Sequence, residues 1–141
     1  MQRAALASGD VMQQLCCMSD DAIKYSKART SRRVVSEAAA DAGELAFGTR
    51  AAVATWAGMH RSQITRAARG QQVGGEEGWR LSALAAVVTA LLAFLEPQAI
   101  AGWMHGSNPH LRDRRPVDIL AEGDLATVMV AVQAARTGVF A

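Results

Sequence analysis

The sequence predicts an all-α protein, with an N-terminal helix-turn-helix unit and a C-terminal helical domain. Three observations predict it. Half of the 141 residues are apolar and only 5% are aromatic, with alanine prominent throughout. Alanine loses no side-chain entropy in a helix, so such a composition favours helices. β-branched residues show no period-two alternation, the pattern of a half-buried strand. Apolar residues instead recur at helical spacing between glycine and proline punctuation. A chain of this length supports one domain with a real core, or two small helical lobes.

Three segments follow along the chain. Residues 1–33 read as a poorly ordered basic arm, with a nascent helix at Asp10–Met18. Five basic residues and no acid fall between Lys24 and Arg33, a run suited either to phosphates or to plain solvation. Residues 34–72 read as short helices. In "VVSEAAADAGELAF", Val34, Val35, Ala38, Ala42 and Leu45 share helical spacing. Thr49 is suited to cap a helix over Arg50–Ala57, because its hydroxyl can accept from an early backbone N–H. Gly58 ends that helix and is free to take positive φ. His60 or Ser62 starts the next helix, which stops at Gly70.

That is helix-turn-helix spacing. Ala54 is small where two helices must approach closely, and Ile64 and Ala67 face inward. The outward face then carries His60, Arg61, Ser62, Gln63, Arg66 and Arg69. Thr49 to Gln72 holds four arginines and no acid. Arginine reads guanine, glutamine reads adenine, and serine contacts phosphate, so these six are the candidate DNA-binding residues. The alternative is a structural helical hairpin whose arginines are only solvated.

Residues 73–141 form the second domain. "VGGEEG" reads as a flexible joint. Leu81–Leu95 is an uncharged run of 15 residues, shorter than the roughly 20 that span a bilayer, so it predicts a buried central helix. Pro97 suits the first position of the next helix, "PQAIAGWMH". Gly106-Ser107-Asn108-Pro109 is a turn. Pro116 starts a short helix that Gly123 ends. Asp124 caps a last helix, Leu125–Thr137, with Leu125, Val128, Met129, Val132 and Ala135 on one face, and Gly138 closes it.

Within 107–123, Asn108 and Pro109 favour a turn by side-chain bonding and fixed φ, and Leu111 pins that turn to the core. Asp118 lies in the first turn of the helix begun by Pro116, where negative charge is favoured. It is within reach of Arg114 or Arg115 as a charge-assisted pair. Trp103 is expected in the core, its indole N–H on a carbonyl. On this reading the stretch mainly builds a scaffold, with Arg112, Arg114 and Arg115 also available to a partner.

Charge and cysteine usage narrow the function classes. The formal net charge is only +2, but residues 1–70 hold ten Lys/Arg against six Asp/Glu, and residues 71–141 five against seven. The basic half is the one with helix-turn-helix spacing. The only cysteines, Cys16 and Cys17, are adjacent. Neighbouring cysteines rarely bridge, which predicts a reduced, cytoplasmic protein. No secretory signal is evident. His60, His105 and His110 are scattered, without metal-ligand spacing, and no glycine-rich phosphate loop follows a strand. No metal, cofactor or catalytic residue is therefore expected, and the chain is not read as an enzyme.

"AIAGWMHGSNPHLRDRRPVDILAEGD" and the ending "TGVFA" resemble the C-terminal domain of the MbcA/ParS/Xre antitoxins, mycobacterial MbcA-type chains in particular. The elements that carry the resemblance are Trp103, Asn108-Pro109, Leu111, Arg114-Arg115, Pro116, Asp118, Leu120 and Gly123. It extends from about Val34 to Ala141, and residues 107–123 are its specific part. The resemblance implies a type II antitoxin that neutralises a RES-domain, NAD-degrading toxin. It implies that the C-terminal domain covers the toxin and presents the chain end to its active-site cleft. The toxin-binding residues would be Arg136, Gly138, Val139, Phe140 and Ala141. It also implies a homodimer on operator DNA that represses its own operon, and a higher hetero-oligomer with toxin. This chain departs from the family at Ala67 and Ala68, where a tryptophan is expected, and in its acidic "VGGEEG". The alternative is a stand-alone helix-turn-helix regulator with no toxin.

Overall fold

A computed structural model describes residues 36–138. All regular structure among these residues is helical. The helices are α1 over 36–47, α2 (Arg50–Ala57), α3 (Arg61–Ala67) and α4 (Gly75–Leu92). After them come α5 (Pro97–His105), a 3-10 turn (Pro109–Leu111), α6 (Pro116–Ala121) and α7 (Leu125–Thr137). The basic arm expected over 1–33, with Val34 and Val35, lies outside the described residues.

Helix α1 forms where the sequence predicts it, with Ala42 buried and Leu45 packed on the core as expected, but its buried face is rotated away from Ala38. Ala39, Ala40, Ala42 and Ala46 are buried, while Ala38 is exposed. The approach to α2 is tight at Gly43, where a Cβ would fall 2.8 Å from a Val53 methyl. Thr49 caps α2 by accepting from the Ala52 N–H at 3.2 Å. Gly58 ends it at φ 77°, in the left-handed region that glycine adopts without strain. The Met59 N–H then returns to the Ala54 carbonyl at 2.9 Å, closing the turn. Ala54, Met59, Ile64 and Ala67 are all buried, so α2 packs on α3 through small residues around one large aliphatic side chain.

Helix α4 begins earlier than the apolar run that predicts it. Gly75–Gly78, read from sequence as a flexible joint, is its first turn, with Glu76 and Glu77 where the exposed N–H groups favour negative charge. Gly78 is buried, and a Cβ there would lie 2.2 Å from the Val73 carbonyl oxygen. Gly78 thus serves close approach, and Gly75 a left-handed backbone at φ 70°, as the chain enters the helix. Leu81, Leu84, Val87, Val88 and Leu91 are buried, and α4 packs against α2, α5, α6 and α7.

Pro97 occupies the start of α5, and Pro116 the start of α6, as their sequence predicts. Asp124 caps α7, its Oδ1 accepting from the Thr127 N–H at 3.0 Å. The face α7 buries is Val128, Ala131 and Val132, with Leu125 and Met129 partly covered. One continuous hydrophobic cluster runs from Ala39 to Val132. No helix among the described residues is long and apolar enough to cross a membrane.

Three polar contacts join α1 and α2 to the C-terminal helices. The Trp56 indole N–H donates to the Val117 carbonyl at 3.1 Å. Arg80 donates to the Ala57 carbonyl at 3.3 Å while pairing with Glu76. His105 Nε2 lies 3.0 Å from the Ala46 carbonyl. A carbonyl only accepts, so this contact requires the proton on Nε2. Phe47 sits between the two rings, 5.3 Å from Trp56 and edge-on to His105 at 5.0 Å.

Candidate functional site

Two surfaces carry the sequence-predicted site residues. The first is the outer face of α3. His60, Arg61, Ser62, Arg66 and Arg69 are exposed on or beside it, and Gln63 is partly covered. Two of the six are engaged in holding the helix start. His60 Nδ1 accepts from the Ser62 N–H at 3.3 Å and lies 2.9 Å from the Ser62 hydroxyl. Gln63 Oε1 accepts from the His60 N–H at 2.6 Å. This reciprocal arrangement satisfies N–H groups that the first turn leaves without helical partners.

The arginines divide as well. Arg66 folds back along α3, with Nε and Nη2 each 3.3 Å from Ser62 oxygens. Arg50 turns away to Glu44, with N–O distances of 3.2 and 3.4 Å. Arg61 and Arg69 make no ion pair among the described residues and remain open to an anionic partner. The polar face is therefore real, but only part of its donor capacity is unspent.

The second surface is the turn over 107–124. Asn108 is its organiser and is 8% exposed. Its side-chain oxygen accepts from the His110 N–H at 3.0 Å. Its carbonyl accepts from Leu111 N–H at 2.9 Å and Asp113 N–H at 3.0 Å, and its own N–H donates to the Arg114 carbonyl at 3.1 Å. Pro109, exposed, starts the 3-10 turn, and Leu111 is buried beneath it. This dense set of bonds holds Arg112 and Asp113 at φ 56° and 60°, a left-handed pair without glycine. Such residues persist where surrounding contacts over-determine the backbone.

Of the two arginines within reach of Asp118, Arg115 is the partner. Its Nε and Nη2 donate to the two carboxylate oxygens at 2.7 and 2.9 Å. Asp118's hydrogen bond and charge raise the Arg115 guanidinium further above its ordinary value. Arg114 pairs with Glu122 instead, and that pairing likewise raises it. Arg112 makes no ion pair among the described residues. Pro116 is buried and Asp118 partly so. The Thr127 hydroxyl and N–H hold the Asp124 carboxyl below the ordinary aspartate range.

Trp103 is only partly buried against the core. The tryptophan whose indole reaches a carbonyl is Trp56, which the sequence reading passed over. Its acceptor lies 61 positions away, and no local pattern points to so distant a partner. Arg80 and His105 were missed for the same reason. Arg136 is exposed in the last turn of α7, and Gly138 closes that helix at φ 67°. Val139, Phe140 and Ala141 lie outside the described residues. On the outer side of α7, Val130 is 68% exposed. No group of three metal-ligating side chains occurs among the described residues.

Residues 83–138, from within α4 to the end of α7, match a family described as the antitoxin Xre/MbcA/ParS C-terminal toxin-binding domain. In fold the chain is similar to one in the crystal structure of the M. tuberculosis MbcT-MbcA toxin-antitoxin complex. The TM-score is 0.62 at 24% identity, and the match covers 74% of this chain and 96% of that one. No curated protein matches the chain.

Proposed function

Because residues 83–138 match the Xre/MbcA/ParS C-terminal toxin-binding domain, we propose that the chain is the antitoxin of a type II toxin–antitoxin pair. The family match over this stretch is the observation that carries the reading. The similarity to a chain of the MbcT-MbcA complex supports the same fold.

The partner we propose is a RES-domain toxin that consumes NAD. Neutralisation is by cover: α7 lies against the toxin, and Val139, Phe140 and Ala141 enter its active-site cleft. What supports this is the form of the helix that leads there. Val130 leaves an apolar side chain open on its outer face, Arg136 is exposed in its last turn, and Gly138 closes the helix in the left-handed region. A phenylalanine two residues beyond is suited to fill an apolar slot. The rigid turn around Asn108 and the Arg115–Asp118 pair hold the platform from which α7 projects.

The helix-turn-helix unit would bind operator DNA as a dimer on a two-fold site and repress the operon. Exposed Arg61 and Arg69 support contact with phosphates. The toxin-binding reading is tested by deleting Val139–Ala141. Toxin-expressing cells are expected to lose growth rescue while the purified protein keeps its melting temperature. A shortened chain that still restores growth refutes entry of the tail into the cleft.

A further inference from the structure

Behind α3 the chain doubles back. Gly70, at φ 80°, permits the reversal, and the Gln71 N–H donates to the Arg66 carbonyl at 2.9 Å. The result is a shallow cleft of about 150 Å³ between α3 and the returning strand of chain, lined by Gln63, Arg66, Gln71, Gln72, Val73 and Gly74. Gln63 and Arg66 stand three apart on one helical face, so the cleft continues the face that carries the exposed arginines.

The chemistry of this lining differs from that of the arginines. No carboxylate and no lysine lines it. Gln71 and Gln72 are exposed, and neither carboxamide is engaged with another described residue. A phosphate asks only for donors, preferably charged ones. A carboxamide offers a donor and an acceptor side by side, the complement of the N6 and N7 edge of adenine in the major groove. Gln63, which also lines the cleft, has spent its oxygen on the His60 N–H, leaving its amide hydrogens as donors. From Thr49 to Gln72 the chain carries four arginines and no acid, so the electrostatic approach favours a polyanion.

We propose that Gln71 and Gln72, on the turn that follows α3, read base edges in duplex DNA, while Arg61 and Arg69 hold its phosphates. This rests on the DNA-binding reading above and adds a specificity-determining pair that lies outside the helix. Neutral amides supply discrimination between bases; the arginines supply affinity that is indifferent to sequence.

The test is selection from a random-sequence DNA duplex library with the full chain, then anisotropy on the selected duplex and on a scrambled one. The wild type is expected to prefer the selected duplex by at least tenfold. Gln71→Ala with Gln72→Ala should remove that preference at one or two base pairs, a loss of about five- to a hundredfold, and leave affinity for scrambled DNA within twofold. Arg61→Ala with Arg69→Ala should weaken both duplexes alike. It should also lower the salt slope by about two, at roughly 0.9 per phosphate. Full base preference in the glutamine double variant overturns the proposal, as does a wild type that binds both duplexes equally. A wild type that binds no duplex at all overturns the DNA-binding reading itself.

Discussion

The N-terminal and C-terminal helices of the described chain pack with different materials. Around α1–α3 the buried residues are mostly alanines, at positions 39, 40, 42, 46, 54, 57 and 67, around Val53, Met59 and Ile64. Around α4–α7 they are mostly leucine, isoleucine, valine and methionine. Small residues let short helices approach closely, as at Gly43 against Val53, but they bury little apolar area per residue. The helix-turn-helix unit is therefore a precise but lightly supported shape. It gains support from the heavier half through Trp56 on Val117, Arg80 on Ala57 and His105 on Ala46. The difference teaches that close packing and stability are separate properties, supplied here by separate parts of one core.

The strongest way to break this view is to weaken the heavy half and watch the light one. Leu84 is fully buried on α4. Leu84→Ala should cost about 2–5 kcal/mol, and amides of α2 and α3 should gain exchange together with those of α4. Protection of α2 and α3 that survives the substitution would show two independent units.

A smaller change sharpens the direction of support. Trp56→Phe keeps an aromatic ring beside Phe47 but removes the donor to Val117. A loss of about 1 kcal/mol is expected, and peptide-resolved hydrogen exchange should rise in 50–67 more than in 75–92. Equal loosening of both would mean that the indole bond does not support α2 and α3 selectively.

The smallest effect concerns the capping of α7. Asp124 is held below its ordinary value of 3.8 when folded, so its contribution is present above that pH and is lost as pH falls through the depressed folded value. Asp124→Asn should melt slightly lower at neutral pH and lose less on acidification below about pH 4. Parallel melting curves for the two proteins across that range would leave the Thr127 bonds without energetic weight.

Much of the fold was legible because its signals are local. Thr49, Gly58, Pro97, Pro116, Asp124 and Gly138 each act within one turn, and each does in the structure what its chemistry predicts. The 107–123 turn was legible for the same reason: Asn108 and Leu111 work through neighbours in sequence. Errors arose where glycine has two uses. "VGGEEG" resembles a loose joint by composition, whereas Gly78 is required by a carbonyl that lies against it. The roles of His60 and Gln63 were half legible. Their exposure followed from helical period, but their mutual bonds depend on where the helix starts, and the sequence left that open between His60 and Ser62. Trp103 was expected to set its indole on a carbonyl and Trp56 was passed over, because only the tertiary arrangement decides which indole finds an acceptor.

The bond from Trp56 to the backbone of α6 bears on how such proteins are recombined. A chimera that grafts α1–α3 of a different chain onto this C-terminal half must bring an indole to meet the Val117 carbonyl, or leave a gap at the seam. Exchange between lineages would then favour whole chains over halves, and a designer splicing at residue 73 should carry positions 47, 56 and 105 as a set.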